Sequence, residues 1–282
     1  MLELSLALLV FLFGLIVGSF LNVVILRYNT GRSFVGGRSI CFACGKLIRW
    51  FENIPLISYI LLKGVCRKCK SAISLQYPLI ELVTGCVFLA VWLSFSAGYD
   101  LQAIDYVQFS TYVVLPVLFY FVAFSLLIVI FVYDLYHKII PDVFSYSFAL
   151  IALAGLLLTG EMSGFNPGFW LDLAAGPALF LPFWALWFFS GGTWMGLGDG
   201  KLALGIGWFL GLSAGVSAVI LAFWIGAGVA ILFLLFQKLG VTRLPFVEKH
   251  LTMSSEIPFG PFLVIGTILQ FFLEFNLFVF PF

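Results

Sequence analysis

Residues 202–236, LALGIGWFLGLSAGVSAVILAFWIGAGVAILFLLF, contain no charged side chain. Water cannot solvate such a stretch, whereas the interior of a bilayer suits it. As one helix it would measure about 52 Å at 1.5 Å per residue, against a hydrocarbon core of about 30 Å. Gly211-Leu212-Ser213-Ala214-Gly215 offers a place to turn. The run therefore divides into a short helix of roughly 10 residues and a full span ending near Phe236. Working outward, further apolar runs lie near 4–26, 78–97, 112–133, 143–160, 171–190 and 259–280. The 282-residue chain is 63% hydrophobic and 10% charged, with a mean hydropathy of +1.16. Soluble domains carry about 25% charged residues. This composition excludes a soluble enzyme, a disordered chain and a secreted disulfide scaffold, and a net charge of +1 excludes a nucleic-acid binder. The expected fold is an all-α polytopic membrane protein with about eight transmembrane helices, one of them short. The first run reads as a span rather than a secretory signal, because Glu3 and no base precede it and no small-residue cleavage site follows.

Charge placement supports eight crossings. Nine of the 14 Lys and Arg residues fall between Arg27 and Lys70, beside a single acid, Glu52. By the positive-inside rule that segment is cytoplasmic. Loops 98–110 and 161–170 hold acids and no base, which suits the outside. Loops 134–142, 191–201 and 237–257 carry Lys138, Lys201, and Lys238 with Arg243 and Lys249, which suits the inside. Eight crossings with both termini outside satisfy every loop; seven leave one end of the chain on the wrong side.

The one sizeable hydrophilic segment, 27–77, contains Cys41-Phe42-Ala43-Cys44 and Cys66-Arg67-Lys68-Cys69. Two CxxC pairs read as a tetrahedral zinc site, each pair turning two thiolates toward one ion. Gly45 and Gly64 flank the pairs and allow tight turns. The segment has too few apolar residues for a core of its own, so a structural metal would replace one. Two disulfides are the competing reading, and a reducing compartment opposes them. Cys86, inside an apolar span, reads as a small buried residue.

Ionisable residues at membrane depth are costly and each implies a function. Tyr133-Asp134 ends the third span, and Gly196-Leu197-Gly198-Asp199 precedes the short helix. The topology puts both at the cytoplasmic face. Gly196 and Gly198 would let backbones approach closely, and Asp199 would start the short helix as a favourable N-terminal carboxylate. Two carboxylates at close range share a proton; the charged one activates water and the protonated one donates to a scissile carbonyl. That is aspartyl-protease chemistry. Two unrelated helix-end caps would give the same residues. Lys201 would either meet phospholipid head groups or tune the site, and His137 and Lys138 suit a positive-inside anchor. Asp142 resembles an N-cap and is the rival to Asp134, while Asp172 resembles a cap of the fifth span. The basic segment 27–70 suits either a lipid surface or a substrate dock.

Together these motifs resemble a family. Gly18-Ser19-Phe20-Leu21-Asn22-Val23-Val24 is followed by the double CxxC with Asn53-Ile54-Pro55 inside it, then Tyr77-Pro78-Leu79-Ile80-Glu81, Asp134, Ile140-Pro141-Asp142, Gly196-Leu197-Gly198-Asp199-Gly200-Lys201, and Pro258-Phe259-Gly260-Pro261-Phe262-Leu263. In this order, over nearly the whole chain, they look like the type IV prepilin peptidases, bifunctional enzymes of pilus assembly and type II secretion. Phe42 replaces the proline usual in the first CxxC.

The resemblance implies cleavage of the basic leader of prepilins and pseudopilins at the cytoplasmic face of the bacterial inner membrane. It also implies methylation of the new N-terminus with S-adenosylmethionine. Asp134 and Asp199 would be catalytic, and Cys41, Cys44, Cys66 and Cys69 the zinc ligands. The implied division is a first helix at 1–26, a zinc-binding segment at 27–77 associated with methyl transfer through flanking helices to about 97, and a peptidase domain at 112–282. No glycine-rich strand–turn–helix for the methyl donor is present. Asn22 and Glu81, polar residues flanking the zinc segment, are the candidates for binding it. A presenilin-like protease shares the paired aspartates but not the cysteines. In a zinc-stabilised transporter or scaffold, the aspartates would bind protons or cations.

Overall fold

A computed structural model describes residues 2–97, 105–163, 167–238 and 258–275, all helical or irregular apart from two isolated bridges. The loop bases Arg243 and Lys249 and the end of the run expected at 259–280 lie outside the described residues. The chain forms two units, residues 1–129 and 130–282.

In the first unit, α1 (Leu2–Arg27) lies antiparallel to α3 (Gln76–Ser96). The helices meet backbone to backbone. A Cβ added at Gly14 would stand 2.8 Å from the Gly85 Cα, and one at Gly18 2.7 Å from the Glu81 Cα. Gly14 and Gly18 thus form the small-residue face by which membrane helices pack without a hydrophobic driving force. The other face of α1 leaves Leu8, Leu12 and Ile16 exposed, as a lipid-facing surface requires. Between the helices, the cysteine-bearing segment passes through a 3-10 turn (Trp50–Glu52) and α2 (Ile57–Leu61). After α4 (Tyr106–Gln108) and a π-helical stretch (Phe109–Val114), α5 (Leu115–His137) begins. Its Phe121 stacks on Phe88 of α3, with centroids 3.9 Å apart.

The second unit takes the end of α5, then α6 (Asp142–Ser163), α7 (Pro167–Ser190), α8 (Leu197–Leu210), α9 (Leu212–Lys238) and α10 (Gly260–Leu273). The run 202–236 breaks at Gly211, whose φ of +78° suits glycine. The helix before the break has 14 residues. Asp172, expected to cap its own helix, instead accepts the Leu212 N–H at 3.3 Å from within α7 and so caps α9. The N-terminal N–H groups of a helix need such an acceptor. α8 is packed between α6 and α7: a Cβ at Gly205 would strike Phe148, and one at Gly207 would stand 2.6 Å from the Ala175 carbonyl carbon. Trp208 ties the same pair by donating to the Leu173 carbonyl at 2.9 Å.

Among the described residues, six helices are long and apolar enough to cross a membrane. α8 and α10, with 14 residues each, span about 21 Å, short of a full bilayer core. The count of eight therefore depends on these two short elements.

Candidate functional sites

Two clusters of chemically capable side chains form, one in each unit. In the first, the thiols of Cys41, Cys44, Cys66 and Cys69 all lie within 4.8 Å of one another. The Cys41 and Cys69 sulfurs are 3.8 Å apart, the edge of a tetrahedron with bonds of about 2.3 Å to zinc. Each pair closes a similar turn. The Gly45 N–H returns to the Cys41 carbonyl at 2.8 Å, and the Lys70 N–H to the Cys66 carbonyl at 3.0 Å. Both Gly45 and Lys70 have positive φ. Gly64, expected to serve the second turn, lies outside it, and the non-glycine Lys70 takes that position. The Cys44 and Ala43 N–H groups aimed at Cys41 lower its thiol to about 6. At Cys44 the Lys46 N–H favours the thiolate, yet desolvation and the Cys69 and Cys41 sulfurs raise it to about 11. Four sulfurs this close cannot all ionise on their own, and a bound dication removes the conflict. The donor set and spacing fit zinc. Cys86, expected to be buried, is exposed on α3.

Beside this cluster, Lys46 pairs with Glu52 at 2.9 Å. Asn22 is buried and donates to the Gly18 and Tyr77 carbonyls at 3.3 and 3.2 Å. Glu81 is buried one turn along α3 from Tyr77, and accepts the Leu56 N–H at 2.9 Å.

In the second unit, Asp134 sits in the last turn of α5, which runs four residues past the expected run, to His137. The Lys138 N–H closes the helix on the Asp134 carbonyl at 2.8 Å. The Asp134 side chain is 4% exposed and accepts the Gly260 N–H at the start of α10. Asp199 is the third residue of α8 rather than its cap, which is Gly196. The Asp199 carboxyl is within electrostatic reach of Asp134.

Ile140 links the parts. A Cβ on Gly198 would meet the Ile140 Cβ at 3.0 Å, and one on Gly260 would meet its Cδ1 at 2.9 Å. Gly198 is therefore needed for a close approach. Gly196 is not, since a Cβ there meets nothing nearer than the Asp199 Oδ2 at 3.7 Å. Ile140 and Gly260 stand in quoted motifs, yet sequence reasoning gave neither a role. The only signal was proline on both sides of a glycine at 258–261.

Lys201 turns away to Asp142, with Nζ 2.6 Å from Oδ1, and lies 5.2 Å from the centre of the Tyr146 ring. Asp142, the rival to Asp134, starts α6 with its side chain 62% exposed.

Comparison with known proteins gives these clusters a context. Residues 12–95 match the Bacterial Peptidase A24 N-terminal domain. Residues 121–231 match the Type IV leader peptidase family. The chain is 36% identical over 234 residues to the prepilin leader peptidase/N-methyltransferase of Myxococcus xanthus, covering 81% of this chain but 63% of that protein. It is 32% identical over 261 residues to the protein of that name from Bacillus subtilis, covering 93% and 92%, and 31% identical over 286 residues to the Aeromonas salmonicida protein, covering 92% and 87%. No solved structure matches significantly. With both family regions matched and relatives above 30% identity along most of their own length, the chain belongs to the type IV leader peptidase family.

Proposed function

We infer that this chain cleaves the leader peptide of prepilins and then methylates the new N-terminus, as a multi-pass protein of the bacterial inner membrane. The pairing of a buried Asp134 with Asp199 at the start of α8 carries the peptidase half of this reading. In this reading Asp134 and Asp199 are the catalytic pair. Of the two carboxyls, the ionised one would activate water and the protonated one would donate to the scissile carbonyl. The charge pattern supports a cytoplasmic location for both. Pseudopilins are further substrates of the same chemistry, and membrane lipids would surround the exposed apolar faces.

Cys41, Cys44, Cys66 and Cys69 would hold one zinc as a closed structural site. S-adenosylmethionine would supply the methyl group as an electrophile. The presence of the cysteine segment and its match to the N-terminal family domain weigh against a presenilin-like protease or a transporter. The test is direct: purified chain in lipid nanodiscs is given an uncut prepilin and S-adenosylmethionine, and the product is weighed by mass spectrometry. The expected product lacks the leader and carries one methyl group on its terminal nitrogen. An intact prepilin rejects the assignment.

A further inference from the structure

The α1–α3 contact holds polar atoms that helix packing does not need. Asn22 is 1% exposed. Both its amide N–H groups go to carbonyls, Gly18 and Tyr77, which fixes the amide orientation. Its Oδ1 is left buried, and no donor among the described residues reaches it. Asn22 is opposite Tyr77, and Glu81 is one turn further along α3 on the same face. Glu81 is 7% exposed. Its carboxyl accepts the Leu56 N–H and the Ser19 hydroxyl, and no Lys, Arg or His among the described residues forms an ion pair with it. Leu56 has φ +58° and ψ −50° where its N–H meets Glu81. A branched residue rarely holds that backbone conformation, and such strain collects where a ligand is bound.

An orphan acceptor, a buried acid without a counter-charge and a strained backbone thus lie along one stretch of the α1–α3 contact. Each needs an explanation, and one ligand explains all three. The unsatisfied atoms are acceptors, so the ligand must bring N–H groups. The donor's sulfonium centre has none, its distal ammonium is the one rival the test below separates, and an anion would be repelled. An amine fits. We propose that Asn22 Oδ1 and the Glu81 carboxylate receive the N-terminal amine that leader cleavage exposes, and that Glu81 takes its proton. This rests on the methyltransferase reading above. At neutral pH the amine arrives mainly as an ammonium, with no lone pair. Glu81 removes one proton. The freed lone pair forms the N–C bond to the donor's methyl group as the C–S bond breaks, its electron pair remaining on sulfur as a neutral thioether. The positive charge passes from sulfur to nitrogen, and Glu81 returns its proton to solvent. The groups that meet the Glu81 carboxyl are the Leu56 N–H and the Ser19 hydroxyl of α1, with Asn22 and Tyr77 a turn away along the same contact. None carries a charge at neutral pH, so the pH response belongs to Glu81 and the amine.

The test uses the full-length enzyme in nanodiscs with three measurements. These are cleavage of uncut prepilin, equilibrium binding of S-adenosylmethionine, and methylation of a pre-cut pilin peptide with a free amine. Glu81→Gln keeps the size and an acceptor for Leu56. It is expected to leave cleavage and donor binding within about twofold while methylation at pH 7 falls about 100-fold. Near pH 9.5 methylation should recover to within about tenfold, because an α-amine of pKa about 8 then deprotonates by itself. Asn22→Leu should raise KM for the pre-cut peptide about tenfold without changing KM for the donor. It carries the test independently if the Glu81 variant does not accumulate. An equal methylation loss at both pH values, a parallel loss of cleavage, or an unchanged peptide KM in Asn22→Leu overturns the site. Loss of donor binding instead also overturns it, because the ammonium held there would be the donor's own. Native enzyme that cleaves but never methylates rejects the methyltransferase reading and this site together.

Discussion

At position 260 one methyl group separates an intact site from a disturbed one. An alanine Cβ there would stand 2.6 Å from the Asp134 Oδ2 and 2.9 Å from the Ile140 Cδ1, and the N–H that holds the carboxylate would move with it. Misplacement by about 1 Å commonly costs on the order of 100-fold in rate. Gly260→Ala is therefore expected to slow prepilin cleavage about 100-fold while the protein still accumulates, and steady-state cleavage by the purified variant checks this. Lys201 and Asp142 form a pair whose acid is mostly exposed, and such pairs contribute about 0–1 kcal/mol. Lys201→Ala should shift thermal stability by no more than that, measured by nanodisc melting. The aspartates were legible in the sequence because a charge inside an apolar run stands out. Gly260 and Ile140 were not, because their role depends on which residues the fold brings beside them. Nothing in a sequence distinguishes Gly196, which has room for a side chain, from Gly198, which does not.

Among the elements, the four-cysteine segment was the most legible, since the spacing of its two CxxC pairs stands out in the sequence and the fold brings the four thiols together. The turn chemistry was only half legible: Gly45 suits its positive φ, while Lys70 adopts one without being glycine. Purified protein is expected to contain about one zinc per chain by mass spectrometry or atomic absorption. Cys41→Ser combined with Cys44→Ser should release it and raise hydrogen exchange across 40–73. Folded, fully reduced protein without metal would contradict this. The turn at Arg49–Glu52 adds a pH dependence. The Arg49 N–H first, and then the Lys46 ammonium, hold Glu52 below the usual carboxylate range. Its contribution is therefore complete above the ordinary value of about 4.3 and lost as pH falls through the lower folded one. Exchange of amides 46–53 should rise below about pH 4. The break at Gly211 was legible from length, because no single helix of that run fits a bilayer. The cap on α9 from Asp172 was not, because its acceptor lies on another helix.

For the whole molecule, both clusters lie inside separate units, the cysteines, Asn22 and Glu81 within 1–129 and the aspartates within 130–282. The two activities should therefore come apart. Composition gave the membrane class, while α8 and α10 are too short for hydropathy alone to decide whether they cross. The most direct test of the account is the rate of prepilin cleavage by purified Asp134→Asn, Asp199→Asn and Asp142→Asn enzymes, each also assayed for methylation of a pre-cut pilin. Asparagine keeps the size of aspartate but cannot share its proton. The account predicts that the first two variants lose cleavage by at least about 1,000-fold and still methylate, and that Asp142→Asn cleaves within a few-fold of native. Full cleavage by Asp134→Asn, or its loss in Asp142→Asn, would contradict it.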